Sequence, residues 1–135
     1  MSANFSIRVE PDRDLVRIWM SGFFGQADVA DFLAARREAH RALRCPPNAH
    51  VTLNDISEMK IQSQEIVAAF QQLLSDTEFR SRRLAFVVGT SLARGQVMRA
   101  CVGRNAGCFD DLADAEAWLL DEELEAAPAP LRRVG

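Results

Sequence analysis

The chain lacks the features that mark an exported, membrane-spanning or metal-binding protein. No segment approaches the roughly 18 uninterrupted apolar residues of a membrane span, and the N-terminus has no apolar signal segment. The three cysteines, Cys45, Cys101 and Cys108, form no CxxC pair, and the two histidines, His40 and His50, have no metal-type spacing. We therefore expect a cytoplasmic protein with free thiols and no metal site.

Lysine is nearly absent, since fifteen of the sixteen basic residues are arginine and these are scattered along the chain. The formal net charge of −3 and the pI near 5.4 argue against a nucleic-acid partner. The length of 135 residues, with 48% apolar and 26% charged residues, is typical of one globular domain. We assign residues 1–125 to this domain and residues 126–135 to a flexible, proline-rich tail.

Alternating hydrophobicity predicts a β-hairpin at the start of the chain. Two runs alternate between apolar and polar residues, and their apolar faces carry Phe5, Ile7, Val9, Val16, Ile18 and Met20. The segment that joins them contains Pro11 and three aspartate or arginine residues, as expected of a turn.

The rest of the chain alternates between helical and strand patterns. The predicted elements are a helix over 26–43, a strand over 49–54, a helix over 63–75, a buried strand over 83–88, a helix over 91–102, a short strand at 108–109 and a helix from 111. Leu112, Ala115 and Leu119 mark the inner face of the last helix. This order predicts an α/β fold, a mixed sheet of four to five strands with helices packed against it and right-handed parallel crossovers.

Four segments carry a family resemblance: RIWMSGFFGQADVADF, LNDISEM, LAFVVGTSLARGQVMRA and FDDLADAEAWL. They resemble the SpoIIAA-like family, stand-alone relatives of the STAS (sulfate transporter and anti-sigma antagonist) domains. The resemblance spans nearly the whole chain and implies the STAS-type mixed sheet. It also implies binding of apolar ligands or peripheral association with membranes, because members of the family are suspected of both.

The phosphorylation switch of STAS regulators is not carried over by this resemblance. In those regulators an Asp-x-Ser-x-Met stretch precedes Asp-Ser-Ser-Gly, whose second serine accepts the phosphoryl group. Here Asp55, Ser57 and Met59 match the first stretch, but the phosphoacceptor position falls on Gln62. Ser57 and Ser63 are only weak candidates for phosphorylation, and Ser63 fits the N-cap of the following helix better.

Asp55 is the first candidate for chemistry, because open α/β sheets bind ligands at the carboxyl ends of their strands. A receiver-type magnesium site would need further acidic residues after the first strand, and that strand ends in Glu10-Pro11. The alternative is that Asp55 braces its own loop through a local hydrogen bond. Lys60 is the only lysine and stands in an expected loop, where it is normally solvated. No nucleophile, base and orienting group converge, so we expect no enzyme and no cofactor.

Large apolar residues in the expected loops are the strongest functional signal. They follow the second, third and fourth strands and are Phe23, Phe24, Met59, Ile61 and Leu92. Together with Asp55 they predict a lip that binds an apolar ligand or a partner side chain. The alternative is that Phe24 and Ile61 pack beneath the helices.

Two functions remain open at the level of the sequence. The first is a non-enzymatic module that binds an apolar small ligand or a peripheral membrane surface, with the acidic last helix as a movable cover. The second is a STAS-like regulatory module for protein–protein interaction that lacks the usual phosphoacceptor serine. Both are compatible with a homodimer, because an exposed apolar patch can be a self-complementary interface.

Overall fold

The computed structural model describes residues 2–89, 91–100 and 105–121, without the side chains of residues 91–93 and 100. The elements of this part of the chain are β1 (Asn4–Glu10), β2 (Leu15–Gly22), α1 (Gln26–His40), β3 (Val51–Met59), α2 (Gln64–Leu74), β4 (Arg83–Val87), α3 (Ser91–Ala100), β5 (Ala106–Phe109) and α4 (Leu112–Leu119). Single 3-10 turns precede β2 and β4, at Pro11–Arg13 and Thr77–Phe79. The predicted order of strands and helices is confirmed.

The first two strands form the predicted antiparallel hairpin. Phe5 lies opposite Met20 and Ile7 opposite Ile18, so the apolar positions of both strands share one face. Asp14 closes the turn in the left-handed conformation, with φ of 52°, and its N–H donates to the carbonyl of Pro11. Aspartate tolerates this backbone better than most residues, which explains the sequence of the turn.

The sheet has the strand order β1-β2-β3-β4-β5, with β2 to β5 parallel. The third strand is longer than the pattern predicts. Because β2 continues to Gly22, β3 pairs with it as far as the Gly22–Met59 position and does not end at Asn54. Asp55 therefore lies within β3, and Met59 is its last residue rather than part of a loop.

Helices cover both faces of the sheet, with a separate core on each. α1, α2 and α3 connect parallel neighbours and lie on one face, as right-handed crossovers that advance in one direction require. α4 lies on the other face against β3, β4 and β5, through Ala115, Trp118 and Leu119. Arg83 anchors this helix by donating from Nη1 to the carbonyl of Trp118 at 2.6 Å.

Two predicted details of the helices are wrong. α1 ends at His40 instead of Leu43, because the next residues turn tightly ahead of the two prolines. Leu112 does not belong to the inner face of α4, since it is 40% exposed in the first turn of the helix.

The predicted tail over 126–135 lies outside the described residues. None of the helices in the described part of the chain is long and apolar enough to cross a bilayer.

Candidate functional site

A cavity of about 140 Å³ lies between the sheet and the helices of the first face. Three strands form its floor through alternate residues, which share a face because side chains alternate along a strand. The floor consists of Ile18, Met20, Thr52, Asn54, Ile56, Leu84 and Phe86. The walls and roof come from α1, α2, the turn before β4 and α3, and they include Phe32, Val67, Phe70, Leu73, Leu74, Phe79 and Val97.

α2 forms the roof and is less closely packed than its sequence suggests. The helix begins after Ser63, whose hydroxyl oxygen accepts a hydrogen bond from Ile66 N at 3.2 Å, as expected of an N-cap. Of its apolar residues only Ile66 is fully buried, whereas Val67, Phe70 and Leu73 are half-buried. These three side chains line the cavity, so the space beneath the helix explains their incomplete burial.

One end of the cavity is polar and is formed by α1 and by the start of β3. Arg36 and His40 line it from the helix. Thr52 of β3 and Ser81, which precedes β4, line it as well, with their hydroxyl oxygens 2.7 Å apart. Arg36 is only 7% exposed, and the Phe79 ring lies 4.5 Å from its guanidinium carbon. This end therefore combines a buried cation with two neutral hydroxyl groups.

The histidine of this polar end is neutral at physiological pH. Burial, with smaller contributions from nearby His50 and Arg36, lowers the pKa of His40 to about 4. Burial likewise lowers the pKa of His50, whose ring centroid lies 4.8 Å from that of His40. An uncharged imidazole can both donate and accept a hydrogen bond. Arg36 is therefore the group that carries positive charge here.

The other end of the cavity lies at the carboxyl ends of β2 and β3. Met59, Lys60 and Gln62 line this end. The Gln62 amide joins the two loops: its Oε1 accepts from Phe24 N at 2.8 Å, and its Nε2 donates to the carbonyl of Gly22 at 3.0 Å. Gly22 has φ of 81°, a conformation that favours glycine. The residue at the expected phosphoacceptor position thus holds the loops together.

The structure separates the two phenylalanines of the expected lip. Phe23 is 45% exposed, whereas Phe24 is fully buried with its ring edge-on to Phe70 at 5.8 Å. Phe24 therefore belongs to the core, as the packing alternative predicted, and cannot be part of an exposed lip.

The remaining apolar candidates lie in three different settings. Met59 is half-buried and lines the cavity, and Ile61 is 40% exposed on the loop that Gln62 joins to Gly22. Packing beneath the helices is therefore wrong for Ile61. The Leu92 side chain lies outside the described residues. Phe23 and Ile61 together mark an exposed apolar pair on neighbouring loops at one edge of the sheet.

Asp55 braces its own strand end and does not line the cavity. Its Oδ1 accepts hydrogen bonds from Ser57 N at 3.0 Å and from Ser57 Oγ at 2.7 Å. Because it alternates with Asn54 and Ile56, Asp55 faces the side of the sheet on which α4 lies. Ser63 is engaged as an N-cap. These contacts give Asp55, Ser57 and Ser63 structural roles.

α4 cannot be the cover of this cavity, because it packs on the opposite face of the sheet. Arg17 holds it there by donating from Nη2 to Glu116 at 2.8 Å while also contacting Glu10. The acidic residues Glu122, Glu123 and Glu125 lie outside the described part of the chain. The predicted role of the last helix as a movable cover is therefore wrong for α4.

Sequence reasoning missed the polar lining of the cavity, namely Arg36, His40 and Asn54. Arg36 occupies a helical position that also carries Phe32 and Val29 four and seven residues earlier, so helical periodicity could have indicated its burial. Asn54 interrupts an apolar strand, and its buried Oδ1 has no hydrogen-bond partner among the described residues. In the same part of the chain, no three His, Cys, Asp or Glu side chains are placed to hold a metal ion.

Comparison with known proteins supports the fold only. No family model and no curated protein matches the chain. Among solved structures, the chain is similar to an uncharacterized protein of the DUF3478 family with a SpoIIAA-like fold, from Shewanella loihica PV-4. The TM-score is 0.68 at 20% sequence identity, over 88% of this chain and 96% of the other. The predicted SpoIIAA-like fold is therefore confirmed, and this degree of identity carries no information on the ligand.

Proposed function

We propose that the protein is a non-enzymatic module that binds a small apolar ligand in the cavity beneath α2. The single observation that supports this most strongly is the cavity itself, which is lined mainly by apolar side chains and has polar groups at its two ends. This is the usual composition of a small-molecule site. We also propose that the protein is located in the cytoplasm.

The size of the cavity limits the ligand. An engineered protein cavity of about 150 Å³ holds benzene, so a volume of about 140 Å³ suits an apolar body of roughly six to eight carbon atoms. A two-chain phospholipid is much larger than this. The expected ligand is therefore a small molecule rather than an intact membrane lipid.

Filling the cavity from its roof tests this function. In the variant Val67→Trp an indole would occupy the space that Val67 lines, and we expect the affinity for 1-octanol to fall at least tenfold in calorimetric titrations. Gln71→Trp is the matched control, because it adds the same side chain to the exposed side of α2. Equal binding by wild type and Val67→Trp, or no binding by wild type, would contradict the proposal.

A second candidate function is supported by the exposed pair Phe23 and Ile61. Two large apolar side chains on neighbouring loops suit the recognition of a partner protein, a second copy of the chain or the surface of a bilayer. Lys60 directly precedes Ile61 on the same loop and adds one positive charge to this edge. This candidate uses the outer surface of the domain, and the first candidate uses its interior.

A further inference from the structure

Arg36 is a buried cation whose carboxylate partner among the described residues, Asp76, forms only a long ion pair with it. It is 7% exposed, and its nearest carboxylate oxygen, Asp76 Oδ2, lies 3.7 Å from Nη2, beyond ordinary hydrogen-bond distance. Its Nε is buried and has no hydrogen-bond partner among the described residues. Burial lowers the Arg36 pKa, but an arginine stays protonated in proteins. Such a group costs free energy unless an anion or other acceptors meet it.

The two carboxylates near Arg36, those of Asp76 and Glu78, also make other contacts. Asp76 is the N-cap of the turn before β4, where its Oδ1 accepts from Glu78 N at 3.0 Å. Glu78 lies 3.6 Å from Arg37 in an exposed ion pair. Neither carboxylate lines the cavity, whereas Arg36 does. The positive charge of Arg36 therefore borders the cavity, and the carboxylates of Asp76 and Glu78 do not.

Neutral polar groups line the same cavity as Arg36. Of the Thr52 and Ser81 hydroxyls, one donates to the other, which leaves the proton of the accepting hydroxyl for a further partner. Asn54 lines the cavity with an amide that can offer either oxygen or NH₂, and neutral His40 adds a ring nitrogen. A planar guanidinium beside several neutral donors is the arrangement that binds a carboxylate, with two parallel hydrogen bonds from the arginine.

We infer that the Arg36 end of the cavity binds the carboxylate of a small monocarboxylic acid whose apolar body lies between the sheet and α2. This inference rests on the proposed function, because it assigns the head group of the ligand that the cavity binds. The apolar body contacts Ile56, Phe70 and Leu84, and the carboxylate lies against the guanidinium. Ligand binding in this pose leaves the fold of the sheet unchanged.

A pair of ligands that differ only at the head group tests the inference. Octanoate and 1-octanol share one chain, and an apolar cavity without a cation would prefer the alcohol, because burial of an unpaired carboxylate is costly. We expect wild-type protein to bind octanoate at least tenfold more tightly than 1-octanol in calorimetric titrations at pH 7. Equal affinities or a preference for the alcohol would overturn the inference and leave the proposed function intact. Binding of neither ligand would overturn both.

The variant Arg36→Met separates the charge from the packing, because methionine retains an unbranched apolar side chain. It should lose at least tenfold in affinity for octanoate and retain its affinity for 1-octanol. Arg37→Met is the matched control, since it removes one charge from the exposed neighbouring position of α1. Loss of octanoate affinity to the same extent in both variants would overturn the inference. If Arg36→Met does not fold, as judged by circular dichroism, the ligand pair with wild-type protein decides.

Discussion

Single polar residues decide the character of the cavity in an otherwise apolar core. Arg36 supplies a buried charge, and His40 supplies an imidazole that burial keeps neutral. Asn54 and Thr52 place an amide and a hydroxyl on the floor of the cavity. Replacement of these four groups by apolar residues would give an ordinary core. Their presence distinguishes this cavity from a purely apolar one.

His40 predicts how stability depends on pH. Its folded-state pKa of about 4 lies below the ordinary value of 6.5, so the unfolded chain binds more protons between these values. The contribution of His40 is fully present above pH 6.5 and is lost as the pH falls towards 4. Since one pKa unit corresponds to about 1.4 kcal/mol, we expect the contribution of His40 to the free energy of unfolding to fall by at most about 2 kcal/mol between pH 7 and pH 5.

Urea unfolding of the variant His40→Gln at both pH values checks this origin. The variant should depend less on pH than wild type, with a residual slope from His50, whose pKa is lowered in the same direction. Arg41→Gln changes an exposed neighbour at the end of α1 and should keep the wild-type slope. A His40→Gln variant with the full wild-type slope would rule out His40 as the source.

The limits of sequence reasoning are clear at this scale in Phe23 and Phe24. Both residues follow the second strand, and their sequence does not show which of them is exposed and which is buried. The course of the backbone after Gly22 buries one ring against Phe70 and exposes the other. Hydrophobic periodicity predicts which side chains are buried in a regular helix or strand. In a loop it does not predict which way a side chain points.

At the scale of elements, the strands were the best predicted part of the structure. The alternation of apolar and polar residues in β1 and β2 predicted the two faces of the hairpin correctly. The apolar run 83–88 correctly predicted a strand that is buried on both faces. The end of β3 was missed because Asn54-Asp55 is typical of a strand end. Pairing with β2 extends β3 to Met59, and this is a tertiary effect.

The cavity beneath α2 could not have been predicted from the sequence. Helical periodicity indicates which face of α2 is apolar, and it does not indicate how closely that face approaches the sheet. The same apolar pattern of Val67, Phe70 and Leu73 would be expected in a helix that packs closely against the sheet. The position of the loops at one edge of the sheet, by contrast, follows from the parallel arrangement of β2, β3 and β4.

The loops after β2 and β3 provide the test of the second candidate function. If Phe23 and Ile61 form a self-complementary interface, wild-type protein should sediment as a dimer. The double variant Phe23→Ser and Ile61→Ser should then sediment as a monomer. Both side chains are exposed, so the change should alter stability by less than about 1 kcal/mol.

The control for this experiment is Leu112→Ser, which replaces an equally exposed apolar residue on α4 and should leave the dimer unchanged. Wild-type protein that is monomeric at all concentrations, or a dimer that persists in the double variant, would contradict the self-association of these loops. Neither result bears on the cavity, which lies inside the domain.

At the scale of the whole molecule, the sheet divides two cores of different character. The core beneath α4 contains Leu15, Leu53 and Leu119, all fully or almost fully buried. The core beneath α1 and α2 contains the cavity. Arg83 and the ion pairs of Arg17 hold α4 against the first core, and the proposed ligand would bind in the second.

The most direct test of ligand binding in the cavity is a titration of the ¹⁵N-labelled protein with 1-octanol, monitored by the amide chemical shifts. We predict the largest shifts for residues that line the cavity, such as Ile56, Phe70 and Leu84, with little change in α4. An absence of shifts at a saturating concentration of the alcohol, or shifts confined to the exposed loops of Phe23 and Ile61, would contradict binding in the interior of the domain.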